Sequence, residues 1–377
     1  MPRLGYPEVR LVGHTLGCDG SRVVPGTEFA TKEQERGLTL YPLLVKNARR
    51  NFLSSGKGRC GQFGHCWKQV SRGIRLSGFW ASLLCGCALV ATCCAPSAKA
   101  QDARIAAAVP AIEKRIAQSG ADVGVAFRTL DGKTEWYYRA DESFHAASTM
   151  KVPVMIELFH QEQEGKLRLD DPVAIKNEFH SLVDGSVYTL DPADDSEADL
   201  YKAVGQTRTL RQLCELMITV SSNLATNLVI ERLGVQNIRA TVHSLHADGM
   251  NVLRGVEDNK AFAAGMNNTT TARALLELLT AIAQGTAVGQ KASAEMVEIL
   301  ERQKFNEGIP AGLPAGVRVA HKTGEITKIH HDAAIVYASR PFVLVILVRG
   351  LADMKDSSAL MADITREIYA AAEPAGQ

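Results

Sequence analysis

Residues 101–377 read as an α+β body, on three observations. β-like runs stand near the start of this stretch, at 122–129 and 134–139. Three more stand near its end, at 317–322, 332–338 and 342–349. The interval between carries apolar runs of helical length and spacing. Strands at both ends with helices between them suggest segregated elements rather than repeated βαβ units. The whole chain has 377 residues, is 46 % apolar and 22 % charged, and is long enough for one large domain or two smaller ones.

Taken in order, 104–118 is an amphipathic helix. Asp131-Gly132 between the first two strand runs signals a hairpin. A helix runs from 148 to about 162 and contains the apolar string MKVPVMIELF. Residues 183–207 are polar and acidic and read as a surface insertion. Helical runs follow at 209–220, 224–233 and 235–246. Residues 251–268 are polar with scattered glycines, a structured loop. Helices are expected at 269–284, capped by Asn268 or Thr269, and at 293–303. The three late strands and a closing helix at 356–371 complete the chain, which has no internal repeat.

The first hundred residues have another character. Residues 1–67 lack sustained periodicity and read as an unstructured extension. Residues 68–100 have the three parts of a secretory signal: Lys68, Arg72 and Arg75, then an apolar stretch at 76–95, then Ser97-Ala98-Lys99-Ala100 as a cleavage pattern before Gln101. Such signals begin at the chain start, so the hypothesis is an over-extended start assignment, with translation beginning near Val70. Ribosome mapping that finds starts at Met1 would sink it. The exported product is expected to be periplasmic or secreted; an uncleaved apolar stretch or lipidation near Cys93 and Cys94 would tie it to a membrane. The net charge of +1 hides an asymmetry, because 1–100 holds 14 Lys+Arg against 5 Asp+Glu. The remainder is therefore acidic, and a nucleic-acid partner is not implied. Of the eight cysteines only Cys214 lies beyond the cleavage point, so the mature domain forms no internal disulfide, and Cys214 reads as core.

Chemistry enters at Ser148-Thr149-Met150-Lys151. At a helix start, Ser148 and Lys151 stand one turn apart on one face. A serine hydroxyl needs a base within hydrogen-bond reach, and a lysine serves once burial or a nearby cation lowers its pKa. Two later stretches join it: Ser221-Ser222-Asn223 after an apolar run, and His321-Lys322-Thr323-Gly324 at the end of a strand. Taken singly, Ser221 and Asn223 would be helix caps, Lys322 a solvated strand end and Thr323-Gly324 a turn.

In that order, Ser-x-x-Lys, Ser-x-Asn and Lys-Thr-Gly resemble the motifs of the penicillin-recognising serine enzymes, class A β-lactamases most closely, over about residues 101–377. The resemblance implies one antiparallel sheet formed by both chain ends, flanking helices, an inserted all-helical lobe, and a site between the lobes. It implies Ser148 as nucleophile, Lys151 as base and Ser221 as proton shuttle. Asn223 would bind the substrate amide, Lys322 and Thr323 would hold its carboxylate, and Gly324 and Glu325 would be further substrate-binding positions. The backbone N–H groups of Ser148 and Glu325 would form the oxyanion hole. Glu257, with Asp258 next, would activate the deacylating water. No cofactor or metal is implied, and the protein is expected to be a monomer acting on a β-lactam or peptidoglycan-like molecule.

The sequence departs from the family at several points. The loop reads Arg254-Gly-Val-Glu257, one residue longer than the usual Arg-x-Glu, and position 261 is Ala where the family has Asn; Asn259 or Asn268 would have to substitute. Asn268 matches the Asp of the family's loop-closing Arg–Asp pair, Ser222 replaces the usual Asp, and Glu325 replaces a small residue. These departures keep two other functions open: a D,D-peptidase or esterase acting on cell-wall peptides, and a sensor that stays acylated. His330-His331-Asp332 resembles a metal cluster, but adjacent strand residues face opposite sides, so packing and hydrogen bonding are expected instead.

Overall fold

The structure, a computed structural model, describes residues 98–373. The extension at 1–67 and nearly all of the signal-like segment lie outside the described residues.

The hairpin forms where the residues dictate. β1 (Asp122–Thr129) and β2 (Glu135–Tyr138) pair antiparallel around Asp131-Gly132, with Gly132 in the left-handed region at φ 67°. β3 (Arg318–Ile326), β4 (Ile329–Tyr337) and β5 (Phe342–Arg349) form an antiparallel meander. β5 pairs along the whole of β1, from Asp122 opposite Arg349 to Thr129 opposite Phe342. The sheet order is β2-β1-β5-β4-β3, so both ends of the chain build one sheet and β3 is an edge.

β5 is buried on both faces, which is why FVLVILVR reads as a continuous apolar run rather than an alternation. Leu344, Ile346 and Val348 face the outer layer, made by α1 (Ala98–Ser119) and α9 (Met354–Ala372), through residues such as Ile112, Ile116, Ile364 and Ile368. Val343, Val345 and Leu347 face the larger core shared with the helical lobe. At its centre lies α2 (Lys151–Gln163), buried from Lys151 through Phe159 and apolar there except for Lys151 and Glu157. Pro153 falls in its first turn, where a missing N–H breaks no helical bond. Around it stand α3 (Leu210–Thr219), α4 (Asn223–Leu233), α5 (Val235–Ser244), α6 (Asn259–Ala263), α7 (Ala272–Ala283) and α8 (Gln290–Glu301). Cys214 is buried in α3, and burial pushes its thiol up to about 12. Among the described residues no helix is long and apolar enough to cross a membrane.

Three expectations need correction. The helix expected from Ser148 is two elements: Ala147–Met150 is a 3-10 turn and the α-helix starts at Lys151. The 269–284 helix starts at Ala272 and is capped by the Thr271 hydroxyl, which accepts from Ala274 N–H. Asn268 is spent closing a loop, and Thr269 pairs with His145 and Asn251. The 183–207 stretch has an exposed outer face, but Leu190, Asp195, Leu200 and Ala203 turn inward. The Asn177 side chain shapes it by pairing with both backbone groups of Leu190.

Candidate active site

The nucleophile's turn is held from three sides. Ala147 sits at φ 45°, a conformation an alanine adopts only under constraint. Its N–H donates to His145 Nδ1 at 3.0 Å. His331, on β4, accepts from Val348 N–H at Nδ1, so its proton is on Nε2, which donates to the His145 carbonyl at 2.9 Å. Burial pushes the His331 ring down to about 4, which keeps it neutral. On the third side runs β3. A Cβ on Gly324 would lie 3.1 Å from Ser148 N and 3.0 Å from Thr149 N, so only glycine lets the strand approach. Ser148 N, one of the expected oxyanion donors, is an atom of this contact, and Glu325, which carries the other, is the next residue of β3.

Behind Ser148, Lys151 is fully buried. Its Nζ donates to Ser221 O at 2.6 Å, Asn223 Oδ1 at 3.0 Å and Ser221 Oγ at 3.2 Å. Burial lowers its pKa to about 7, against the opposing pull of Asp195 and Glu257. As an ammonium it serves all three acceptors; as an amine it releases one and exposes a lone pair. Among the described residues it makes no hydrogen bond to Ser148, a contact that in such sites often tightens only with substrate.

Lys322 is also fully buried, not solvated, and donates to Ser221 Oγ at 3.0 Å and Thr323 O at 2.8 Å. Burial and the neighbouring Lys151 charge hold it well below an ordinary lysine. Ser221 Oγ thus accepts from two lysine Nζ groups, which leaves its own proton to be donated outward. Its backbone is left-handed, at φ 60°. Ser148, Ser221, Asn223, Thr323 and Glu325 line one cleft of about 280 Å³, with Asp194, Glu307 and His330. A larger hollow of about 430 Å³ between α1 and β2 contains none of these residues. The chemistry, not the volume, selects the site.

Comparisons with known proteins agree with this geometry. The profile described as the beta-lactamase enzyme family matches residues 107–372. The chain belongs to that family. It is 30 % identical over 234 residues to beta-lactamase Toho-2 of Escherichia coli, which spans 61 % of this chain and 74 % of that protein. It is 29 % identical over 217 residues to beta-lactamase CTX-M-8 of Citrobacter amalonaticus, spanning 57 % and 69 %. A solved structure titled as a penicillin G acyl-enzyme complex of a PBP-A mutant superposes with TM-score 0.60 at 26 % identity, covering 71 % of this chain and 96 % of that one.

Within this beta-lactamase fold the neck of the loop at 251–268 is closed by Asn268 rather than by an ion pair. Asn268 Oδ1 accepts from Leu253 N–H at 2.8 Å and Arg254 N–H at 3.2 Å, and its Nδ2 donates to Arg254 O at 3.1 Å. Arg254 turns to Met266 O, to Gly255 O and to the face of Phe262. Glu257 reaches the site: its Oε1 accepts from Asn223 Nδ2 at 3.0 Å, and its backbone is left-handed at φ 63°. Burial raises its pKa against the Asn223 bond that lowers it. Asp258 does not reach the site. Its oxygens cap α6 at Ala261 N–H and hold Ser181 Oγ and Leu182 N–H, so it is a loop clamp and not a second candidate base. Asn259 opens α6 and is exposed, so neither it nor Asn268 stands beside Glu257 as a family-like Asn partner; Asn223 does. His330 lines the cleft while His331 faces the nucleophile's turn, the opposite sides expected of strand neighbours. Asp332 accepts from the backbone of Ile309 and faces His321 at 3.0 Å. The residue that sequence reasoning missed is Asp195; its only signal was Ser222 standing where a carboxylate is usual.

Proposed function

We propose that the protein hydrolyses β-lactam amides through an acyl-Ser148 intermediate. The observation that carries this reading is Ser221 Oγ between two buried lysines at the cleft that Ser148 lines. Ser148 Oγ attacks the lactam carbonyl carbon, and its proton passes to Lys151 Nζ as amine. Ser148 N–H and Glu325 N–H receive the developing oxyanion; one such donor is worth about 3–4 kcal/mol in other acyl-transfer enzymes. The C–N bond breaks, and the leaving nitrogen takes a proton from Ser221 Oγ, which Lys151 resupplies. Lys322, Thr323 and Gly324 seat the lactam carboxylate, and Asn223 holds the side-chain amide. Water then attacks the ester carbon and gives its proton to Glu257, the C–O bond breaks, and Glu257 passes that proton on to the leaving Ser148 Oγ, which restores the free enzyme. Raised by burial, Glu257 is a better base than an exposed carboxylate.

A second reading has its own support. The loop carrying Glu257 lacks the family's closing ion pair, and one similar fold was captured acylated by penicillin G. A protein that acylates and stays so would be a peptidase-like penicillin binder or a sensor. Export of a monomer cleaved before Gln101 is likewise our reading of the sequence at 68–100.

Intact mass of the protein mixed with penicillin G, with product followed in parallel, separates these. A working β-lactamase gives product with a transient adduct; Glu257→Ala gives a lasting adduct, and Ser148→Ala gives neither. A stable stoichiometric adduct on the wild type would replace the first reading by the second, and neither adduct nor product would remove both.

A further inference from the structure

Asp195 belongs to the stretch that reads as surface, yet it is buried and reaches the site from behind. Its Oδ2 accepts from Leu224 N–H at 2.8 Å, Tyr201 OH at 2.9 Å and Ser222 Oγ at 3.3 Å, and its Oδ1 accepts from Glu197 N–H at 3.0 Å. Ser222 and Leu224 flank Asn223, and Ser222 follows Ser221, so one carboxylate grips the turn that carries both site residues. That turn needs holding. Ser221 is left-handed, and strain of this kind persists only where surrounding contacts enforce it. The same turn supplies every acceptor of Lys151: Ser221 O, Ser221 Oγ and Asn223 Oδ1.

We propose that Asp195 is a positioning residue for acylation, fixing the 221–223 turn against Lys151 and supplying the negative charge that the turn itself lacks. The inference rests on the acyl-serine reading above. Charged groups face Lys151 from three elements: Asp195 from the loop before α3, Glu257 from the loop before α6, and Lys322 from β3. Tyr201 stands against Asp195, and burial followed by that carboxylate raises its pKa. Asp195 and Glu257 favour the ammonium; Lys322 opposes it.

The test is Asp195→Asn, which keeps shape and an acceptor but removes the charge. The acylation kcat/KM on a chromogenic cephalosporin is expected to fall about tenfold or more, and the acidic limb of its pH profile to move down by about one pH unit, since losing a nearby opposite charge makes the lysine a weaker base. Tyr201→Phe keeps the charge, so the limb is expected to stay in place. Asp195→Asn with Ser222→Asp returns a carboxylate from within the turn and should restore the limb and most of the rate. A folded Asp195→Asn with wild-type rate and limb overturns the proposal. So does lost rate with an unmoved limb and no rescue, the signature of a structural role alone. Where Asp195→Asn does not fold, the double variant decides: folding with a wild-type limb supports the proposal, and failing to fold or shifting the limb overturns it. The Lys151 titration is also followed without substrate, by ¹³C NMR of lysine-labelled protein, using the resonance missing from Lys151→Ala. A wild type that forms no adduct sinks the acyl-serine reading; a Lys151 resonance that titrates identically in Asp195→Asn sinks this one.

Discussion

One missing methyl group at Gly324 lets the sheet touch the nucleophile. A Cβ there would meet Thr149 N and Ser148 N, and backbone atoms yield less readily than the end of a flexible side chain. Gly324→Ala should therefore lower kcat/KM about tenfold or more by displacing Ser148, while costing about 1–3 kcal/mol of stability. Activity assays beside thermal melts check this; a variant as active as wild type would remove the steric argument. At this scale the sequence was informative where chemistry is encoded by short spacing. Lys151, Ser221, Asn223 and Lys322 are joined by hydrogen bonds, and Ser148 lines the same cleft. Asp195 was hard to read, since the partners that bring it to the site, Ser222 and Leu224, lie 27 and 29 positions away and nothing in its own stretch distinguishes it from its acidic neighbours. The burial of Lys322 was equally hidden, because a strand-end lysine is ordinarily solvated.

Elements were legible wherever apolar periodicity was long, as in the sheet strands and α3, whose Thr209–Gln212 capping box marks its start. They were misread where a side chain had a tertiary task. Asn268 was expected to cap a helix and instead ties Leu253 and Arg254 to itself, with Nδ2 also facing Met150 Sδ at 3.0 Å. Asn268→Ala would leave these buried backbone groups unpaired at a cost of about 1–3 kcal/mol. Because the loop it closes carries Glu257, deacylation should slow more than acylation. Pre-steady-state mass spectrometry would show this as a longer-lived adduct; an equal slowing of both steps would mean that the loop does not position Glu257 separately.

Across the whole molecule, function is built where the fold gives up stability. Of the six non-glycine residues with left-handed backbone among the described residues, Ala147, Ser221 and Glu257 are at or beside the site. The buried lysines add a pH signature. Lys151 falls from 10.5 to about 7 on folding, so the unfolded chain binds more protons between those values. Stability should therefore rise from about pH 7 towards pH 10, on the order of a few kcal/mol at most, and Lys322 adds in the same direction. His331, lowered from 6.5 to about 4, gives a separate loss on acidification through that window. Urea denaturation from pH 6 to 9 should show a slope that Lys151→Met reduces; an unchanged slope would assign it elsewhere. The pairing of β1 with β5 bears on when the enzyme comes into being. Asp122 meets Arg349 across 227 residues of sequence. A ribosome has made Ser148, Lys151 and Ser221 long before the strand that carries Lys322 exists, and until β5 follows, β1 has only β2 beside it. The nascent chain thus carries Ser148 without the strand that bears Lys322 until synthesis passes residue 318, and one released earlier lacks that side of the cleft altogether.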